Sequence, residues 1–173
     1  MADNYVLIGF MGAGKTSIGK LLAKRSGKTF LDTDEMIVKQ MNLSINEIFS
    51  VYGEEYFRDL ETNLLKVLCN SVHDSVISVG GGTPIREENR TYLKKLGTVI
   101  YLSVTENTVI KRLKGDKTRP LLQGTKEEVR DKVSKLLNER ESKYVAGSHH
   151  IVKVDRMNKE EIIEKIMSFD QED

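Results

Sequence analysis

The run Gly9-Phe10-Met11-Gly12-Ala13-Gly14-Lys15-Thr16 follows the short apolar stretch Tyr5-Val6-Leu7-Ile8 and precedes a helical pattern. No other stretch constrains the chain as tightly. Glycines five apart, then lysine and a hydroxyl, between strand and helix, make a P-loop. The glycines let successive backbone N–H groups turn inward onto phosphate oxygens, aided by the positive end of the next helix. Lys15 supplies a point charge between β- and γ-phosphates, and the Thr16 hydroxyl suits Mg²⁺. A chance match over a chain of this length falls below about one in a hundred. The motif therefore assigns a nucleoside triphosphate as donor. ATPases, GTPases and kinases all use it, so the acceptor must be read elsewhere.

The rest of the chain alternates strand-like and helix-like segments. Apolar runs at 5–10, 29–32, 75–80, 98–104 and 150–154 read as strands, several of them nearly continuous in Val, Ile and Leu. Such runs suit a parallel sheet covered on both faces, joined by helical crossovers. The expectation is an α/β three-layer sandwich with about five parallel strands, formed by one domain over residues 1–173. Thr16–Ser26 reads as the first helix. Ser44 with Glu47 and Thr125 with Glu128 form capping-box patterns, and Asn158 can cap a final helix. Residues 114–125, Lys-Gly-Asp-Lys-Thr-Arg-Pro-Leu-Leu-Gln-Gly-Thr, have no clear period and read either as a mobile lid or as a solvated surface loop. The closing Phe169-Asp170-Gln171-Glu172-Asp173 reads as a frayed terminus.

Bulk properties exclude several classes. The net charge of +1 gives no global basic field for nucleic acid. A single cysteine, Cys69, rules out a disulfide framework and a multi-cysteine metal site, and its helix-like surroundings suggest a core thiol. No signal peptide or membrane-length apolar run is read, so a cytoplasmic location is expected. His149 and His150 read as packing or solvated residues rather than metal ligands.

Three further constellations carry chemistry. Asp32 and Asp34 close the second strand, where alternation puts both carboxylates on one side. One is read as a Mg²⁺ ligand and the other as a partner for an acceptor hydroxyl; helix capping by either is the competing reading. Asp32 is the stronger Mg²⁺ candidate than Asp155, which follows the last strand. Arg58 and Glu61 share a helix face, and spacing alone does not distinguish a surface ion pair from an oriented guanidinium fork. Gly80-Gly81-Gly82 after the third strand allows a ligand close to the backbone.

Taken together, GFMGAGKT, LDTD, FRDLE, SVGGG, TRPLL and LNERESKY resemble the shikimate kinases in order and spacing from residue 9 to residue 144. The resemblance implies an adenylate-kinase-like P-loop fold with strand order 2-3-1-4-5. It implies transfer of the γ-phosphate of ATP, with Mg²⁺, to the 3-hydroxyl of shikimate, on the route to chorismate and the aromatic amino acids. By the same resemblance, Gly12, Ala13, Gly14, Lys15, Thr16 and Ser17 hold the nucleotide phosphates. Asp34 meets the reacting hydroxyl, and Thr16 and Asp32 hold the metal. Arg58 and Arg140 grip the shikimate carboxylate, with Glu61 holding Arg58. Gly80, Gly81 and Gly82 line the substrate, a substrate-binding helical segment spans about 33–61, and Phe49 and Phe57 wall the site. Arg119 is the lid arginine, and Arg112 flanks adenine with Arg156 and Met157 nearby. The order Lys15-Thr16-Ser17 departs from the commoner Lys-Ser-Thr yet keeps the Mg²⁺ hydroxyl. A gluconate-kinase-like chain would share the cradle but not FRDLE, the triple glycine or Arg140. A silent binding module could have lost Lys15, Asp34 or Arg119; all three are present. A monomer with no nucleic-acid or membrane partner is the expectation.

Overall fold

The computed structural model describes residues 3–114 and 124–171. Most of the expected lid, with Arg119, lies outside the described residues.

Five strands form one sheet: β1 (Tyr5–Ile8), β2 (Thr29–Asp32), β3 (Ser75–Ser78), β4 (Thr98–Ser103) and β5 (His150–Lys153). Their order is β2-β3-β1-β4-β5 and every pairing is parallel. Leu7 lies between Ser78 and Ile100, and Asp32 pairs with Ser78, so the carboxyl ends of β1, β2 and β3 finish together. All four residues of β1 are buried, as a central strand covered on both faces must be.

The helices are α1 (Lys15–Ser26), α2 (Thr33–Met41), α3 (Ile45–Tyr52), α4 (Glu54–Ser71), α5 (Glu87–Leu96), α6 (Glu106–Leu113), α7 (Lys126–Gly147) and α8 (Lys159–Ser168). α1 packs with α8, while α4, α5 and α7 pack in series. All three expected caps form. Ser44, Thr125 and Asn158 each accept from the N3 backbone, and Glu47, Glu128 and Glu161 each return a carboxylate to the cap N–H. A second, smaller core of Ile37, Ile48 and Phe57 lies under α2, α3 and α4. Among the described residues no helix is long and apolar enough to cross a membrane.

Two expectations are corrected. The chain's last turn is not frayed over Phe169–Gln171: Phe169 is buried and stacks on His150 at 3.9 Å, and the Tyr5 hydroxyl donates to Asp170. An aromatic ring beside an open core edge docks there rather than staying in water. Cys69 sits at the margin of the core, half-buried, with its thiol donating to the Tyr92 carbonyl at 3.4 Å. The two histidines are packing residues: His149 Nδ1 accepts from the Val99 N–H at 2.9 Å, and His150 meets Phe169.

Candidate active site

The P-loop joins the end of β1 to α1. Gly14 caps α1 with φ of 94°, a left-handed conformation that side chains resist. Lys15 folds back over the loop, its ammonium donating to the Gly9 carbonyl at 2.7 Å and the Phe10 carbonyl at 3.1 Å. The Thr16 hydroxyl donates to Asp32 Oδ2 at 3.2 Å. The Ser17 hydroxyl donates to the Gly14 carbonyl at 3.3 Å. From α6, Arg112 donates to the carbonyls of Gly12 and Ala13 at 2.9 and 3.1 Å. A cavity of about 320 Å³ opens above the loop, walled by P-loop residues, Asp32, Asp34, Leu113 and the run Ser78 to Gly81. Donor loop and both aspartates thus share one space.

Asp32 and Asp34 meet there by a route that strand alternation does not describe. The extended backbone stops at Asp32, and α2 begins at Thr33, so Asp34 lies in the helix's first turn. Asp32 is itself the cap: its Oδ1 accepts from the N–H groups of Asp34 and Glu35 at 3.0 and 3.2 Å. Its other oxygen faces Thr16. Capping and cavity-facing roles therefore coexist in one carboxylate. Asp34 has its acidity weakened, its carboxyl pushed up to about 6. Burial is the main cause, followed by the neighbouring carboxylates of Glu61 and Asp32, against the opposing pull of Lys15 and Arg58.

The ambiguity at Arg58 is resolved. Glu61 is 1% exposed and accepts from Arg58 at 2.7 Å, so the pair is an internal fork and not a surface ion pair. Arg58 also reaches Glu54 at 3.0 Å. The triple glycine makes room for this: a Cβ on Gly82 would come within 2.3 Å of the Arg58 guanidinium. From α7, the Arg140 guanidinium lies over the Phe10 ring at 5.8 Å. A Cβ on Gly81 would stand 3.8 Å from it.

Among the described residues, two buried side-chain polar atoms have no hydrogen-bond partner: Asp34 Oδ1 and Arg140 Nε. Buried polar atoms are ordinarily satisfied, and here one orphan accepts and the other donates. A ligand bearing a hydroxyl and an anionic group would satisfy both.

The expected site residues do not all converge. Phe49 and Phe57 meet edge to face at 5.1 Å in the smaller core, and Phe57 is 3% exposed; neither lines the cavity. Arg156 stands exposed on the turn after β5 and Met157 packs against the main core. Asp155 accepts from the Thr105 N–H and hydroxyl at 2.9 and 2.8 Å, tying β5 to the start of α6. Three residues with no assigned sequence role belong to the site's framework. The Thr33 hydroxyl accepts from the Gly80 N–H at 3.3 Å. The Thr83 hydroxyl donates to Glu61 at 2.5 Å. The Tyr144 hydroxyl donates to the Gly81 carbonyl at 2.7 Å, and its position one turn beyond Arg140 was the available signal.

Comparison with known proteins bears on the same residues. The family model described as "Shikimate kinase" matches residues 11–171. A shikimate kinase of Thermodesulfovibrio yellowstonii is 42% identical over 164 residues, 95% of this chain and 92% of the relative. That of Alkaliphilus oremlandii is 42% identical over 168 residues, 96% and 98% of the two chains. Among solved structures, the Acinetobacter baumannii shikimate kinase in complex with shikimate superposes with a TM-score of 0.91 at 34% identity, covering 99% of this chain and 94% of that one. A deoxyadenosine kinase from M. mycoides, at TM-score 0.62 and 21% identity, shares the fold alone. The matched span contains most of the P-loop, the aspartates, the Arg58–Glu61 fork and Arg140, and this chain belongs to the shikimate kinase family, ATP-dependent phosphotransferases.

Proposed function

We propose that the cavity transfers the γ-phosphate of ATP to the 3-hydroxyl of shikimate, giving 3-phosphoshikimate and ADP. One observation carries the residue assignment: Asp34, on the cavity wall, has an orphaned acceptor, and Arg140, over the ring of the P-loop's Phe10, an orphaned donor. A small hydroxy acid supplies the hydroxyl and the carboxylate that those two atoms lack.

In this reading Arg58 and Arg140 hold the shikimate carboxylate, and Glu61 keeps Arg58 extended. Gly80, Gly81 and Gly82 let the ring approach the backbone. Asp34 receives the hydroxyl proton as the oxygen bonds to the γ-phosphorus; the bond to the bridging oxygen breaks and ADP leaves. With its carboxyl near pH 6, Asp34 is ionised at neutral pH and ready to accept. Lys15 leaves its carbonyl partners for the β- and γ-phosphates, and Gly12 through Ser17 cradle them. Phe49 and Phe57 support the acceptor segment from the smaller core. Arg112 and Arg156 serve the adenine side.

The residues present fit Mg²⁺, since Thr16 and Asp32 offer two hard oxygens beside the cradle. When bound, the ion supplies charge neutralisation on the β- and γ-oxygens. The expected lid at about 114–125, with Arg119 as its phosphate contact, lies for the most part outside the described residues. The chain works as a single-domain cytoplasmic monomer, with ATP and shikimate as its small-molecule partners.

A coupled ADP-release assay tests the reading. ADP release is expected with shikimate, and much slower release with quinate, gluconate or no acceptor. Folded protein that released no ADP with shikimate would overturn it.

A further inference from the structure

Beneath the acceptor side runs a seam of polar side chains of which the proposed chemistry uses only Glu61. Glu61, Thr62, Thr83 and Asn89 are all at most 4% exposed. They come from two places: adjacent positions on α4, and the turn that follows the triple glycine with the start of α5. Each is satisfied by another member. Thr83 Oγ1 donates to Glu61 Oε1 at 2.5 Å. Asn89 Nδ2 donates to the Thr83 carbonyl at 2.9 Å, and Thr62 Oγ1 donates to Asn89 Oδ1 at 2.8 Å.

Thr83 is the hinge of this seam. Its own N–H donates to the Gly80 carbonyl at 3.0 Å, so its backbone is fixed to the glycine that lines the cavity. Its hydroxyl is fixed to the carboxylate that orients Arg58. Glu61 is thereby divided between two donors, Arg58 on Oε2 and Thr83 on Oε1. A buried carboxylate with one oxygen unmet costs free energy and turns toward another donor. Arg58, already bonded to the other oxygen, is a donor at hand. The fork would then shift from its place against Gly82, where the guanidinium fills the space a Cβ would take.

We infer that Thr83 is a positioning residue for the acceptor: its hydroxyl holds Glu61 so that the Arg58 guanidinium faces the substrate anion. The inference rests on the acceptor assignment proposed above. It adds a residue that touches neither substrate nor nucleotide.

Thr83→Val keeps the volume and removes the hydroxyl. It should raise the KM for shikimate about tenfold, with the ATP KM within about twofold of the parent. Thr83→Ser restores the donor and should bring the shikimate KM back to within about threefold of the parent. Thr83→Ala gives the same reading without pressing a methyl group on the carboxylate, should the valine variant fail to fold. An unchanged shikimate KM in folded Thr83→Val or Thr83→Ala overturns the inference. So does a serine variant as impaired as alanine, or an ATP KM that rises as far as that for shikimate. A parent enzyme inactive on shikimate would fail the proposed function instead, a result the same assay separates.

Discussion

At the scale of one residue, Asp34 meets two opposed demands. The proposed role as base needs it ionised, yet its surroundings favour the proton and place its carboxyl at about 6 against an ordinary 3.8. Between those values the folded protein keeps a proton that the unfolded chain has released. Stability therefore falls as pH rises through this window, and above about pH 6 the cost reaches at most about 3 kcal/mol. Asp34→Asn removes both the proposed base and the cost. Its turnover should drop at least about a hundredfold while ATP binding persists. Its melting temperature relative to the parent should be higher at pH 8 than at pH 4. Near-normal turnover would remove Asp34 from its catalytic assignment; a stability difference independent of pH would contradict the buried-charge account.

At the scale of elements, local signals were legible and long-range ones were not. A capping box is written within four consecutive residues, so Ser44–Glu47 and Thr125–Glu128 were readable before any packing was known. The strands were equally plain as short apolar-rich runs: β1, β3 and β4 are covered on both faces, while the edge strands β2 and β5 are partly exposed and carry polar ends. The exact start of α2 was not, since Asp32-Thr33-Asp34 suits a strand end and a helix start alike. The burial of Glu61 was hidden because helix spacing fixes a shared face but not what covers it. The last turn was misread for a similar reason: a short polar tail gives no sign that one ring docks on His150. Phe169→Ala tests that docking. It should cost about 3 kcal/mol in urea unfolding. A loss under about 0.5 kcal/mol would return the tail to the status of a loose end.

At the scale of the molecule, strand order separates the two halves of the site. β1 is central and delivers the P-loop. On one side β3 and β2 bring the triple glycine, Asp32 and Asp34; on the other, β4 and β5 lead to α6, Arg112 and the turn at Arg156. Arg140 reaches the acceptor side from α7, whose Tyr144 holds Gly81. This arrangement predicts that the binary binding equilibria are separable. Arg140→Lys keeps the charge but removes the Nε fork, and should weaken shikimate binding about tenfold with ADP binding unchanged. Arg112→Ala should weaken ADP binding with shikimate binding unchanged. In the double variant each binary affinity should match that of its single variant within about twofold, as for sites that share no partner. Titrations of each ligand alone measure this without requiring the ternary complex. A cross-effect of tenfold would mean that Gly81, lying between the P-loop and Arg140, couples the halves through the backbone, and that donor and acceptor are not read independently.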